Sequence, residues 1–218
     1  MLDQILTPDL IASAIRMATP LALAAIGGTI CERAGVVNIA LEGMMLVGAF
    51  AGVAVALATG STGAGVLAAV AAGMLFAGLH GFASITLRAD QVVSGTAVNI
   101  LALGLTGFLM EVVYGHPGTT DAAATLAPLF RAEGPTEGLP AVVWRWVSGI
   151  FLSHTPLVYA TVAIAATAHW AMFRTTWGLR LRALGEHPRA ADTVGVGVAR
   201  GRYGAVLLSG ALAGLAGA

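Results

Sequence analysis

Long apolar runs are the feature that most constrains what this chain can fold into. Five of them are about 19–24 residues long, enough at 1.5 Å per residue to cross the hydrocarbon core of a bilayer as an α-helix. The predicted spans are 9–30, 36–58, 64–87, 92–113, 155–173 and a sixth that begins near residue 203. We therefore predict an all-α fold, a polytopic transmembrane helix bundle with about six spans.

The composition excludes a soluble globule. Of the 218 residues, 57% are hydrophobic and 10% are charged, whereas soluble domains carry about 25% charged residues. The 29 glycines suit closely packed membrane helices, because small residues let two backbones approach.

The last apolar run, 203–218, is short for a span and has no polar end. We expect residues 1–218 to form a single transmembrane domain that is truncated at its C-terminus, with further spans missing. The alternative is a short re-entrant helix, which would also reverse the side on which the N-terminus lies.

Two absences limit the chemistry of the chain. It contains no lysine, so a phosphate-binding P-loop and a Schiff-base mechanism are excluded. Its single cysteine, Cys31, rules out an intrachain disulfide, and its histidines lack metal-ligand spacing. We expect no catalytic residue, no metal site, no bound cofactor and no nucleic-acid partner.

The arginines are distributed unevenly and predict the orientation. Segment 174–202 carries six of them against Glu186 and Asp192. If this segment is cytoplasmic, the alternation of spans puts Arg33 and Arg88 on the same side, which collects eight of the eleven arginines inside. Positive residues favour the cytoplasmic side of membrane proteins.

This orientation makes the N-terminus and the connection 114–153 extracytoplasmic. Trp144 and Trp146 then lie at the outer interface, and Trp170 and Trp177 lie near the inner one. Such aromatic belts are typical of membrane proteins.

Two groups of polar residues lie inside the predicted spans. Asn38 and Glu42 are four residues apart and would share one helix face. Gln91 and Asn99 form a second stripe, with Ser94 beside it. Amide and carboxylate groups in a span indicate either the lining of a solute path or hydrogen bonds between packed helices, and both interpretations stay open.

Small residues at helical spacing predict packing seams rather than sites. The two series are Gly48, Gly52 and Ala56, and Gly73, Ala77 and Gly81. His80 and Ser84 have the spacing of a nucleophile pair, but no clear third group orients them, so packing is the favoured interpretation.

The polar segment contains its own helix signals. Gly185 suits a left-handed helix end, and His187 stands at the cap of the next helix. Pro188 suits the first helical position, and the short helix 188–194 would end at Gly195. So short a helix is unstable alone in water and requires a surface on which to pack.

Three stretches then resemble a known family. They are WGLRLRALGEHPRAADTVGV at 177–196, ERAGVVNIALEGMMLVGAF at 32–50 and LRADQVVSGTAVNILALGLTGFL at 87–109. The chain resembles the permease subunits of ABC importers, in the branch that includes branched-chain amino acid, ribose-type sugar and nucleoside permeases. It is most similar to the simple-sugar and nucleoside permeases.

The resemblance implies a subunit that imports nucleosides or simple sugars across a bacterial cytoplasmic (inner) membrane and is not itself an enzyme. Implied partners are cytoplasmic ATPase subunits that bind ATP, a second permease subunit, an extracytoplasmic solute-binding protein and membrane lipid. ATPase coupling would use segment 174–202, through Gly185, Glu186, Pro188, Arg189, Ala191, Asp192 and Gly195. The proposed solute path contains Asn38, Glu42, Gln91, Ser94 and Asn99. The alternatives are a branched-chain amino acid permease, a stand-alone channel or carrier, and an intramembrane enzyme.

Overall fold

The structure is a computed structural model that describes residues 7–116, 126–130 and 138–218. Over these residues the chain forms nine α-helices. They are α1 (Pro8–Arg33), α2 (Leu41–Thr59), α3 (Thr62–Gly81), α4 (Gln91–Tyr114), α5 (Gly138–Val147), α6 (Pro156–Arg174), α7 (Thr176–Glu186), α8 (Pro188–Thr193) and α9 (Val198–Gly217). Short π-helical turns continue α3 over Phe82–Thr86 and α5 over Ser148–Leu152.

Five of these helices are long and apolar enough to cross a membrane: α1, α2, α3 with its π-helical turn, α4 and α6. The prediction of a polytopic helical membrane protein is therefore confirmed. The sixth predicted span corresponds to α9, which has 20 residues and begins at Val198, ahead of the expected start. Arg200 and Arg202 lie in its first turns and lower its mean hydropathy, which separates it from the other five.

Polar side chains cap the N-terminal ends of α1 and α4. The Thr7 hydroxyl accepts a hydrogen bond from the backbone N–H of Leu10 at 3.2 Å, at the start of α1. Asp90 Oδ1 accepts two, from Val92 at 2.9 Å and Val93 at 3.0 Å, at the start of α4. These bonds satisfy N–H groups that have no partner within the helix.

Helix α9 is the centre of the bundle and packs against α1, α2 and α3. Glycines allow the close approach: a Cβ added at Gly48 of α2 would lie 2.7 Å from the backbone oxygen of Gly214. Gly73 of α3 likewise meets the backbone of Gly210. The predicted packing seams therefore lie at helix contacts, although the sequence did not identify α9 as the partner.

Two apolar clusters flank α9. Val206 and Ala213 belong to the cluster shared with α2, α3 and α4, whereas Ala205 and Leu212 belong to the one shared with α1, α6 and α7. Two neighbouring faces of this glycine-rich helix thus pack into the two clusters.

Side-chain contacts define the basic end of the bundle. Arg202 Nε donates to the carbonyl of Ala34 at 3.2 Å, and the hydroxyls of Thr86 and Tyr203 lie 2.6 Å apart. The ends of α1 and α3, the start of α4 and the region from α7 to the start of α9 therefore lie together. This end holds the eight arginines that the sequence grouped: Arg33, Arg88, Arg174, Arg180, Arg182, Arg189, Arg200 and Arg202.

Two predicted boundaries need correction. The second span was expected over 36–58, but α2 begins at Leu41 and residues 34–40 are not helical. The connection 114–153 was expected to be a loop, but part of it is helical, because α5 and its π-helical turn occupy residues 138–152. Residues 117–125 and 131–137 of that connection lie outside the described residues.

Candidate functional site

The candidate site is built around a non-helical stretch, residues 34–40, which we call the link. It joins α1 to α2, and its side chains alternate between the interior and the surface. Ala34, Val36, Asn38 and Ala40 are buried, whereas Val37 and Ile39 are 41% exposed. Non-helical backbone at membrane depth is tolerated only where protein or a water-filled cavity satisfies its polar groups. The side chains that do so here identify the site.

One face of α4 supplies two amide side chains to this region. Gln91 Oε1 accepts a hydrogen bond from the backbone N–H of Val37 at 2.7 Å. Asn99 Nδ2 donates to the carbonyl of Ile39 at 3.0 Å. Asn99 Oδ1 accepts from the backbone N–H of Gly43 at 2.7 Å, in the first turn of α2. The predicted stripe of amide side chains on α4 is therefore present, and it bonds to the backbone of the link and of α2.

His80 of α3 holds the link from a second direction. Its Nε2 lies 3.1 Å from the carbonyl of Val37, and its Nδ1 lies 3.1 Å from Ser94 Oγ. A carbonyl only accepts, so Nε2 carries the proton and Nδ1 accepts from the serine hydroxyl. Ser84 instead donates to the backbone carbonyl of His80 at 2.7 Å. The His80–Ser84 pair is therefore not a nucleophile pair, as the packing interpretation held.

Asn38 connects the link to the central helix. Its Nδ2 donates to Ser209 Oγ at 2.9 Å, and its Oδ1 accepts from the backbone N–H of Ala40 at 3.1 Å. The prediction that Asn38 and Glu42 share a helix face is wrong, because Asn38 precedes α2 and bonds to its own backbone two residues on. Short amides commonly form such turns.

Glu42 differs from the other four residues predicted for the solute path. It lies in the first turn of α2 and is exposed. A carboxylate there is favoured by the positive end of the helix dipole. Among these five residues, Asn38 and Ser94 are buried, and Gln91 and Asn99 are half-buried with their amides bonded to backbone.

The second region of interest is α7 and α8 at the basic end. Pro188 is the first residue of α8, as predicted, and His187 precedes it as the cap. The helix ends before Gly195, whose φ of +81° favours glycine. Ala191 is buried, whereas Glu186, Arg189, Asp192 and Gly195 are exposed. The turn from α7 to α8 therefore presents charged side chains and rests on the bundle through its alanine.

Gly185 has a different role from the predicted one. It lies within α7 rather than at a left-handed helix end. A Cβ there would lie 2.5 Å from the carbonyl oxygen of Arg33 and 3.2 Å from the backbone nitrogen of Gly35. Arg202 Nη2 donates to the carbonyl of Leu184 at 3.3 Å beside this contact. Close packing of α7 on the end of α1 requires the glycine.

Comparison with known proteins identifies the family of this chain. The profile of the family described as "Branched-chain amino acid transport system / permease component" matches residues 10–218. The chain belongs to this family. The permease is 42% identical over 207 residues to a guanosine ABC transporter permease protein of Bacillus subtilis. It is 37% identical over 218 residues to a nucleoside ABC transporter permease protein of Lactococcus lactis.

A third relative is an ABC transporter permease protein of Haloferax volcanii, provisionally named for glucose, with 36% identity over 214 residues. The alignments cover 92%, 96% and 96% of this permease but 63%, 66% and 61% of the three relatives. The chain thus spans less than two thirds of their length. No solved structure matches it. The family and the apolar helices agree with the predicted multi-pass location in the cytoplasmic (inner) membrane.

The structure brings together four of the five residues predicted for the solute path and adds two that the sequence did not assign to it. Asn38, Gln91, Ser94 and Asn99 all act on the link of the permease or on its neighbours. His80 and Ser209 complete the group. A histidine within a glycine-rich span was the available signal for His80, but only the tertiary contacts show its partners.

Proposed function

We propose that this permease is the transmembrane subunit of an ABC importer for nucleosides or simple sugars. The observation that carries the proposal is the 42% identity, over 92% of this chain, to a protein named as a guanosine permease. The second relative is named for nucleosides. ATP hydrolysis would occur in a partner subunit, because a chain without lysine lacks the P-loop residue that contacts the phosphates.

The proposed solute path passes the exposed side of the link and the start of α2. Transporters bind solutes where helices are interrupted, because the free backbone groups and helix ends there can contact the solute. Glu42 is the exposed acceptor at this place and would accept hydrogen bonds from solute hydroxyls. Asn38, Ser94 and Asn99 would position the link and not touch the solute, since their polar groups are already paired. Gln91 would also position the link through its Oε1, and its Nε2 would be available to donate to a solute.

Two substitutions distinguish a residue that contacts the solute from a residue that positions the link. Glu42→Gln should raise the KM for uptake and change thermal stability little, because the helix-dipole stabilisation of an exposed carboxylate is about 0.3–1 kcal/mol. Asn38→Ala should lower the midpoint of thermal unfolding, since Ser209 loses its buried partner. Unchanged KM in Glu42→Gln would remove this residue from the path.

The turn from α7 to α8 would dock on the ATPase. Glu186, Arg189 and Asp192 would make polar contacts, and Gly185, Pro188, Ala191 and Gly195 would shape the turn. Helix α8 is a single turn with its charged side exposed, so it offers a polar surface to the ATPase. So short a helix also requires a surface on which to pack. Closure of the ATPases would move this turn and, through the contact of Gly185 with α1, rock the bundle.

Coupling is tested by Glu186→Arg in the complete importer, with Glu32→Arg as the matched control. Glu32 is also exposed at the basic end but lies outside the turn. We expect Glu186→Arg to insert normally and to lose solute-stimulated ATP hydrolysis, whereas Glu32→Arg keeps it. Normal stimulation in Glu186→Arg would refute the coupling role of this residue.

The solute class is tested by uptake into vesicles that contain the complete importer and its binding protein. Guanosine or ribose should be taken up in an ATP-dependent manner. Uptake of leucine alone would favour a branched-chain amino acid permease. Flux that persists without any ATPase subunit would favour a channel or carrier.

A further inference from the structure

Two cavities meet on the outer surface of the bundle near the basic end. The first has a volume of about 340 Å³ and lies among α1, α6, α7 and α9. The second, also about 340 Å³, lies between α7 and α9. Trp177 and Leu208 line both cavities, and these residues are 43% and 39% exposed. The two cavities are therefore adjacent, with two wall residues in common, and we call the pair the groove.

The cavity among α1, α6, α7 and α9 is the apolar part of the groove. Ile30, Ile164 and Leu212 line it together with small alanines. Its one threonine, Thr167, already donates its hydroxyl hydrogen to the carbonyl of Ala163 at 2.7 Å. A cavity of this kind gives water no partners and gives a polar solute nothing to bind. Its chemistry fits a hydrocarbon chain.

The cavity between α7 and α9 is the basic part of the groove. Arg180 of α7 and Arg200 of α9 line it, and both are exposed. Neighbouring arginines are engaged elsewhere: Arg202 donates to the carbonyls of Ala34 and Leu184. Arg182 lies over the ring of Phe173, 5.5 Å from its centroid. Arg180 and Arg200 are thus the two arginines that line this part of the groove, and guanidinium groups bind phosphate well.

The spacing of the two parts matches the inner leaflet of a bilayer. Leu212, which lines the apolar part alone, is twelve residues from Arg200 on α9, which is about 18 Å along the helix. Trp177 lies where the apolar and the basic part of the groove adjoin. Tryptophan side chains in membrane proteins are enriched at the level of the lipid headgroups. The charged part is therefore at headgroup height and the apolar part at the height of the acyl chains.

We propose that this groove binds an anionic phospholipid of the cytoplasmic leaflet. The phosphate lies between Arg180 and Arg200, and one acyl chain fills the apolar part beside Trp177. Basic pockets between membrane helices on the cytoplasmic side are suited to such headgroups. The bound lipid would contact α7, α9 and the end of α6 at once, and α7 leads directly into the turn at Pro188. The site needs no assumption about which solute the permease carries.

Trp177 is a built-in probe for the test. The complete importer is placed in nanodiscs with increasing mole fractions of phosphatidylglycerol or phosphatidylcholine, both with brominated acyl chains that quench tryptophan fluorescence. The Trp177 contribution is the difference from Trp177→Phe. We expect half-maximal quenching at a much lower mole fraction of phosphatidylglycerol, by about fivefold for each arginine.

The variants assign the preference to the groove. Arg180→Gln combined with Arg200→Gln should make the two lipids equally effective. Arg174→Gln is the matched control, because Arg174 is exposed at the same end but does not line either cavity. Equal quenching by both lipids in the unmodified importer would overturn the proposal without any variant. Absence of quenching by either lipid would also overturn it, since another protein surface would then cover the groove.

Discussion

Replacement of Asn99 tests the hydrogen bonds that hold the link. Asn99→Leu keeps the approximate volume but leaves two backbone groups without their partner, the Ile39 carbonyl and the Gly43 N–H. Side-chain hydrogen bonds in membrane proteins contribute about 0.6 kcal/mol on average and up to about 1.7 kcal/mol. Two of them give a loss of about 1–3 kcal/mol, which corresponds to a midpoint of thermal unfolding about 3–9 °C lower.

The assay is thermal unfolding of the complete permease complex in detergent micelles. Thr96→Val is the matched control on the same helix, because the Thr96 hydroxyl donates only to its own helix, to the carbonyl of Val92 at 2.9 Å. A midpoint for Asn99→Leu equal to that of Thr96→Val would refute the reasoning.

Three further predictions follow from packing and backbone geometry. Gly73→Leu should prevent stable assembly, because its side chain would meet the backbone of α9; Gly104→Leu, with open space around it, should assemble normally in a membrane-extraction assay. His80→Ala should lower the unfolding midpoint by more than Ser84→Ala, whose hydroxyl bonds only to its own helix; equal midpoints would contradict the assigned contacts. Gly195→Ala should cost about 1 kcal/mol through its positive φ, measurable as faster proteolysis at the α8 turn than in the unmodified permease.

The spans were predictable because bilayer thickness acts on the sequence directly. A run of about 20 apolar residues has one structural solution in a membrane, and the described helices follow it closely at 92–113 against α4, Gln91–Tyr114. The spacing of small residues likewise indicated the packing seams. What periodicity could not supply was the partner helix, because the contact of Gly73 with Gly210 is a tertiary contact.

The site was predictable in its residue types and less so in its geometry. An Asn at 38 and a Glu at 42 share a face only if the helix is continuous, and the sequence from 36 onward is apolar enough to suggest that it is. The helix is interrupted because the link is held by side chains from three other helices, including Ser209. No local sequence pattern shows whether residues 36–40 continue a helix or are held out of it by side chains from other helices.

Gly185 shows a related limit. Glycine before a proline is typical of a helix end, yet here it permits contact with α1 at Arg33. The same residue type serves both purposes, and only the tertiary structure distinguishes them.

The central claim, that the solute path passes the link and the start of α2, is tested most directly by thiol accessibility. The one native cysteine, Cys31, is buried, so this chain adds little background labelling. Glu42→Cys should react with a charged, membrane-impermeant thiol reagent in the complete importer, and guanosine should slow the reaction. Val162→Cys, exposed on α6, is the lipid-facing control and should stay unreactive. A Glu42→Cys permease that is as unreactive as this control, with and without ATP, would contradict the account.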